Sequence, residues 1–197
     1  MGSLMDDLFD LIYRKSFKEA PEPTFKLASG VMSRFYFNAK PLLFDQLGAR
    51  VVARWVLGQI VELTPRPTAI GGLEIGAIPI ACTVQALAEP ADFPMKAFVV
   101  RKEAKAHGTK RQVEGELVAG ERVVVVDDVI TSGESTLKAI HAVEDIGCEV
   151  QAVYCLVDRP EGEHSPGFRP YEPRLKAAFT LKQFLDRVHA RHDARAR

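Results

Sequence analysis

Apolar positions near the amino terminus, Leu8, Leu11 and Ile12, recur at helical spacing and predict a short amphipathic helix that ends before Pro21. Two aromatic-rich stretches follow, residues 25–27 and 35–38, separated by Ser29-Gly30, and they predict a small antiparallel unit. Over 45–63 the apolar residues Leu47, Val51, Val52, Trp55, Val56, Ile60 and Leu63 mark one face of a helix laid on a core, and the Pro65-Arg66-Pro67 turn closes it. The pattern then alternates. Short apolar runs at 68–72, 97–100, 122–127 and 149–157 predict strands, and helical spacing over about 78–87 and 134–146 separates some of them. This alternation predicts an α/β fold with a mainly parallel central sheet and helices on both faces. The tail is less regular, with Pro160, Pro166, Pro170 and Pro173 before a last amphipathic helix over about 181–191.

With 197 residues and 47% hydrophobic content the chain can build one substantial core, so a single domain over 1–197 is expected. Lys+Arg and Asp+Glu are both 26, a balance that argues against a nucleic-acid partner or a polybasic membrane surface. Charge must therefore act through local placement. Cys82, Cys148 and Cys155 are odd in number and lack C-x-x-C spacing, which argues against a disulfide framework or a zinc site and fits a reducing, cytoplasmic setting. No apolar run approaches the ~18 residues of a membrane span, and no basic-then-apolar leader opens the chain. Met1-Gly2-Ser3-Leu4, ahead of Met5, matches an expression scar and is left out of the reading.

Chemistry concentrates in residues 123–136, VVVVDDVITSGEST. Four successive valines suit a strand buried on both faces, which puts Asp127 and Asp128 at its carboxyl end, the edge where open α/β sheets bind ligands. Thr131, Ser132, Gly133 and Ser135 then supply hydroxyls and a permissive backbone where a helix begins, a place that attracts phosphate. Carboxylates repel phosphate but accept hydrogen bonds from sugar hydroxyls, so the pattern predicts a sugar phosphate. Alone, DD is a solvated strand end and TSG an ordinary turn with a cap; the complete order points to a site. A P-loop pattern is absent, and no G-x-G-x-x-G follows a strand.

The segment resembles the phosphoribosyl pyrophosphate (PRPP) motif of the type I phosphoribosyltransferases. By that likeness Asp127 and Asp128 hold the ribose hydroxyls, and the stretch Val129, Ile130, Thr131, Ser132, Gly133, Glu134, Ser135 binds PRPP, with Thr131 to Ser135 on its 5-phosphate. A second segment, Arg101-Lys102-Glu103-Ala104-Lys105-Ala106-His107-Gly108, opens a run to about Glu116 with almost no large apolar side chain, so an exposed mobile loop is expected there. Most such charge runs are solvated loops. This one follows a strand whose carboxyl end faces the predicted sugar-phosphate site, and a departing diphosphate needs cations. R-K-E-A-K-x-H-G resembles the flexible catalytic loop of orotate phosphoribosyltransferases. That likeness implies that Lys105 and His107 reach the pyrophosphate and the reacting centre, that Arg101 and Lys102 contact its phosphates, and that the loop of one subunit completes its neighbour's site in a homodimer.

Two more stretches extend the resemblance from about Phe25 to Gly162. Phe25-Lys26-Leu27-Ala28-Ser29-Gly30, with Ser33 and Tyr36, is similar to the family's F-x-L-x-S-G-x-x-S-x-x-Y hood; its alternative is a plain hairpin with Tyr36 and Phe37 as packing. Asp158-Arg159-Pro160-Glu161-Gly162 resembles the family's D-R-x-x-G, which makes Arg159 the implied orotate ligand, along with Tyr36, Phe37 and Thr131; otherwise Arg159 is a surface partner of Asp158. The implied layout is hood elements at about 20–44 and 160–180 around a core at about 45–159. The chain departs from the family where some members carry lysine, at Ala28 and at Gly76 within Gly72–Pro79. The implied reaction converts orotate and PRPP to orotidine 5-phosphate and pyrophosphate in UMP synthesis. Mg2+ is expected to bind mainly through PRPP, with no dedicated protein ligand. The alternatives are a phosphoribosyltransferase for another nucleobase and a non-catalytic PRPP-sensing regulator on the same fold.

Overall fold

The computed structural model describes residues 3–27, 30–88, 93–103, 112–160 and 162–196. Helix α1 (Leu4–Lys15) starts at a reciprocal cap: the Ser3 hydroxyl accepts from the Asp6 backbone N–H and the Asp6 carboxylate accepts from the Ser3 N–H, each at 3.2 Å. Ser3, set aside on sequence grounds, thus orders the first turn. The aromatic stretches do not pair with each other as expected. Strand β1 (Phe17–Glu19) pairs antiparallel with β4 (Phe35–Phe37), while β2 (Phe25–Lys26) pairs with β3 (Met32–Ser33). The chain turns between β3 and β4, where the Ser33 hydroxyl accepts from the Phe35 N–H at 3.0 Å, and this sends β4 to β1. Contact between the two ribbons is through side chains, the Phe25 and Tyr36 rings stacking 5.5 Å apart.

After the single turn α2 (Lys40–Leu43), helix α3 (Gln46–Ile60) is capped by the Asp45 carboxylate, which accepts from the Gly48 N–H at 2.9 Å. The core sheet then forms from β5 (Ala69–Leu73), β6 (Lys96–Val100), β7 (Val113–Glu114), β8 (Arg122–Ile130), β9 (Glu149–Asp158) and β10 (Leu175–Thr180), in the order β10-β9-β8-β5-β6-β7. All neighbours are parallel except β6 and β7. Helices α4 (Ala77–Ala88), α5 (Glu134–Glu144) and α6 (Leu181–Ala196) complete the layers. Val124 and Val126 pack with the helical layer of α1, α3 and α4, whereas Val123 and Val125 pack with Ala139, Ile140 and Val143 of α5. The unbroken valine run follows from this: both faces of β8 are covered. Among the described residues no helix is long and apolar enough to cross a membrane.

Three differences from the sequence reading matter for the site. Strand β8 does not stop at Asp127 but runs to Ile130, paired with β9 as far as Asp158, while its pairing with β5 ends at Val125. Part of the segment after Arg101 is not exposed loop. Val113, its one branched apolar residue, is buried opposite Val100 at the sheet edge. Residues 175–180, expected in the hood, add β10 to the core sheet. Leu-Lys-Ala-Ala-Phe-Thr contains no Val or Ile, so its strand character comes from pairing with β9 rather than from propensity.

The hood ribbon is pinned to the core by aromatic packing. Phe184 of α6, fully buried, meets Phe9, Phe17, Phe37 and Phe179 with ring centroids 5.0, 5.2, 5.2 and 5.8 Å away. Phe184→Ala should therefore cost about 3–5 kcal/mol of unfolding free energy, the usual range for a buried Phe, as read by urea denaturation; a cost near zero would mean that α6 does not anchor the hood.

Candidate active site

Because β5 leaves β8 at Val125, the acid pair lies on backbone that is bonded on one side only. The twofold period of the strand sends the two carboxylates in different directions. Asp127, 9% exposed, turns toward α5: its Oδ2 accepts from the Thr136 hydroxyl and its Oδ1 from the Asp128 N–H, both at 2.9 Å. Asp128 is half-buried, its Oδ1 accepting from the Val129 N–H at 2.9 Å, and it points beside Gly76 at the entry to α4. Burial pushes the Asp127 pKa up to about 7, and the neighbouring Asp128 charge adds to the rise while the Thr136 hydrogen bond opposes it.

Gly76 explains its own departure from the lysine-bearing members of the family. A Cβ there would lie 2.8 Å from Asp128 Oδ1 and 3.3 Å from Asp127 Oδ1, so a side chain at this position requires the Asp128 carboxylate to shift. The same loop holds the start of the cationic segment, since the Glu74 carboxylate accepts from the Lys102 N–H and the Val100 carbonyl from the Glu74 N–H, both at 2.9 Å. Arg101 lies 3.7 Å from the Glu114 carboxylate on β7. Lys105 and His107 fall outside the described residues, as do Ala28, Ser29 and Glu161.

From Ile130 the chain turns through Thr131 and Ser132 to Gly133, the residue before α5, whose φ of +80° is left-handed backbone that favours glycine. Val129, Thr131, Ser132, Glu134 and Ser135 form one wall of a cleft of about 640 Å³. Opposite stand Lys26, Leu27, Tyr36 and Phe37 from the hood, and Arg159 and Glu163 close the end. Arg159 is buried to 5% exposure, its guanidinium carbon 5.8 Å from the Phe37 ring centroid and its backbone N–H donating to the Ile130 carbonyl at 2.9 Å. It is a buried residue rather than a surface one. Phe37 packs in the aromatic cluster beneath it, and Tyr36 presents the exposed ring.

Sequence reasoning did not single out Thr136, Lys26 or Glu163. Thr136 was visible only as the first-turn hydroxyl nine residues after Asp127; Lys26 stood at an unspecified position of the hood motif; Glu163 had no signal, because the fold alone brings it to the cleft. Among the described residues no group of three or more His, Cys, Asp or Glu side chains could hold a metal ion.

Comparison with known proteins matches residues 44–186 to the model of the phosphoribosyl transferase domain. An orotate phosphoribosyltransferase of Aquifex aeolicus is 45% identical over 157 residues, 80% of this chain and 85% of that one. The crystal structure of orotate phosphoribosyltransferase from Aeropyrum pernix superposes with a TM-score of 0.72 at 32% identity, covering 92% of this chain and 98% of that one. The Mycobacterium tuberculosis orotate phosphoribosyltransferase, solved in complex with PRPP, gives a TM-score of 0.67 at 26% identity over 93% of each chain.

The raised Asp127 pKa carries a sign that can be measured. An acid whose folded pKa lies above its ordinary 3.8 favours the folded state when protonated, so its contribution is intact below about 3.8 and is lost as pH rises through about 7. Asp127→Asn removes this titration. The unfolding free energy of the variant, relative to the native chain, should rise as pH is taken from about 4 to about 8, measured by urea denaturation at each pH; a difference independent of pH would show that Asp127 ionises as a solvated acid does.

Proposed function

The chain belongs to the phosphoribosyltransferase family, and on that premise we propose that it is an orotate phosphoribosyltransferase, joining orotate to the phosphoribosyl group of PRPP in UMP synthesis and releasing pyrophosphate. The observation that carries this reading is the meeting, in one cleft, of the hydroxyl loop before α5, with the acid pair leading into it, and a buried arginine under an aromatic hood. The loop over Thr131 to Ser135, at the positive end of α5, suits the 5-phosphate. Asp128, half-buried beside Gly76, suits the ribose hydroxyls, with Asp127 behind it held by Thr136. Arg159 can read a planar acid through two parallel hydrogen bonds, and Tyr36 offers a flat face for the ring.

The reaction forms a bond from a ring nitrogen of orotate to the anomeric carbon as the bond from that carbon to the pyrophosphate oxygen breaks, and the proton of that nitrogen is released to solvent or to the departing pyrophosphate. Positive charge developing on the ribose favours nearby carboxylates, and negative charge on the leaving group favours Arg101, Lys102, Lys105 and His107. Mg2+ would be held mainly by PRPP oxygens, with no dedicated protein ligand, and would neutralise diphosphate charge there. The loop carrying Lys105 and His107 is assigned to the partner's cleft in a homodimer. Support for this is the likeness of R-K-E-A-K-A-H-G to the family loop and its departure from β6 near the sheet edge. A cytoplasmic location accords with Cys82, Cys148 and Cys155 all being free thiols.

Pyrophosphate release with PRPP, Mg2+ and each of orotate, uracil, adenine, guanine, hypoxanthine and xanthine tests the assignment. Orotate should be consumed fastest and only with the metal; faster turnover of a purine would replace orotate while leaving the PRPP site in place.

Lys105→Ala should lower kcat on the order of a hundredfold, with a smaller effect on PRPP binding, since its partner gains charge in the transition state. Mixing this variant with Asp127→Asn-Asp128→Asn under subunit exchange should restore activity, because a hybrid dimer holds one site with native acids and a native partner loop. Verified hybrids without activity would place the loop in its own subunit's site.

A further inference from the structure

The segment from Asp158 to Phe168 grips the phosphate loop at three places. Arg159 N–H donates to the Ile130 carbonyl at 2.9 Å and Ser165 N–H to the Ser132 carbonyl at 2.8 Å. Phe168, fully buried, lies against Gly133, where a Cβ would come within 2.4 Å of its Cγ. At the centre of this grip stands His164, 8% exposed. Its Nε2 is 3.0 Å from Asp158 Oδ1 at the end of β9, and its Nδ1 is 2.8 Å from Glu172 Oε1 in the 3₁₀ turn Arg169–Arg174. Its ring meets Phe168 nearly edge-on, centroids 5.1 Å apart at 65°. Its carbonyl accepts from Arg169 Nε at 3.4 Å.

An imidazole is a rigid plate with polar atoms on two edges, so one ring can span two carboxylates from different elements while its face and remaining edge pack. Such a plate sets a distance. Here one side fixes Asp158, whose neighbour is Arg159, and the other fixes the 3₁₀ turn that follows Phe168. Neither His164 nor Glu172 lines the substrate cleft; both border a separate groove of about 700 Å³ along β10.

We propose that His164 is a positioning residue, touching no substrate, that sets the spacing between Arg159 and the Thr131–Ser135 loop and so between the base and the phosphoribosyl group. The inference deepens the assigned reaction and rests on it for the identity of the base. Two reactants must be held in register for transfer, and a misplacement of about 1 Å can cost on the order of a hundredfold in rate.

The test uses the full chain with His164→Ala, His164→Gln and Glu172→Gln. For His164→Ala, kcat/KM should fall roughly tenfold or more, with KM rising for both orotate and PRPP, and calorimetry with PRPP and Mg2+ should show weaker binding. His164→Gln, which keeps polar atoms at similar reach, should recover part of each loss. Glu172→Gln, remote from the cleft, should weaken PRPP binding in the same direction, and combining it with His164→Ala should add little because both break one clamp. A lowered melting midpoint with unchanged KM values and unchanged PRPP affinity would overturn the proposal and leave His164 a packing residue. If His164→Ala does not fold, the two conservative variants decide by PRPP affinity alone. If the native enzyme prefers another base, the orotate reading fails, yet PRPP calorimetry still decides the role of His164.

Discussion

Because β8 continues to Ile130 beside β9 after its pairing with β5 has ended at Val125, its last residues and the turn that follows them are free to form one wall of the cleft. The acid pair is reached from the sheet edge, the glycine loop Gly72–Pro79 folds back against it, and the hydroxyl loop turns into α5 beneath it. Close approach makes this compact. A Cβ on Gly72 would lie 2.2 Å from the Val126 carbonyl and one on Gly76 would lie 2.8 Å from Asp128 Oδ1, so the end of β5 and the turn after it lie close against β8 and its acid pair.

The same crowding shapes the electrostatics. Two adjacent carboxylates cannot share a partly dry pocket at no cost; Asp127 accepts from the buried Thr136 hydroxyl, while the half-buried Asp128 lies beside it next to Gly76. Burial, with the Asp128 charge beside it, raises the Asp127 pKa. A group kept under that penalty at the carboxyl edge of a parallel sheet is the kind of local inconsistency that marks functional sites. The regulator alternative needs only the phosphate cradle; the cationic run after Arg101, hooked to Glu74 at Lys102, is what an enzyme that expels pyrophosphate requires.

The hood has little backbone pairing of its own, two ribbons of two short strands each, and an isolated two-stranded ribbon is marginal in water. Its position comes from side chains. Phe17 and Phe37 join Phe9, Phe179 and Phe184, and the Arg159 guanidinium lies over Phe37. Ion pairs from α6 to α1 join the exposed Arg187 to Asp6 and the part-buried Arg191 to Asp10. The aromatic cluster therefore sets where the hood wall of the cleft stands relative to the Thr131–Ser135 loop.

Periodicity alone determined the α/β class, the parallel core and the helices α3, α4 and α5, because each element carries a full apolar face. The order of valines, acids, hydroxyls and glycine placed the acid pair and the hydroxyl loop together at one edge of the sheet, since a strand end and a helix start adjacent in sequence are adjacent in space. What the chain could not reveal depends on contacts between distant segments. Strand β10 has weak propensity and exists because β9 offers an unpaired edge; β2 and β4 belong to different ribbons because β1 captures β4. The roles of Thr136 and Glu163, and the span of His164 between Asp158 and Glu172, were likewise decided by tertiary structure. Local sequence encodes periodic faces and turns, whereas which polar groups meet across a cleft is set only when the packed core has fixed the distances between its elements.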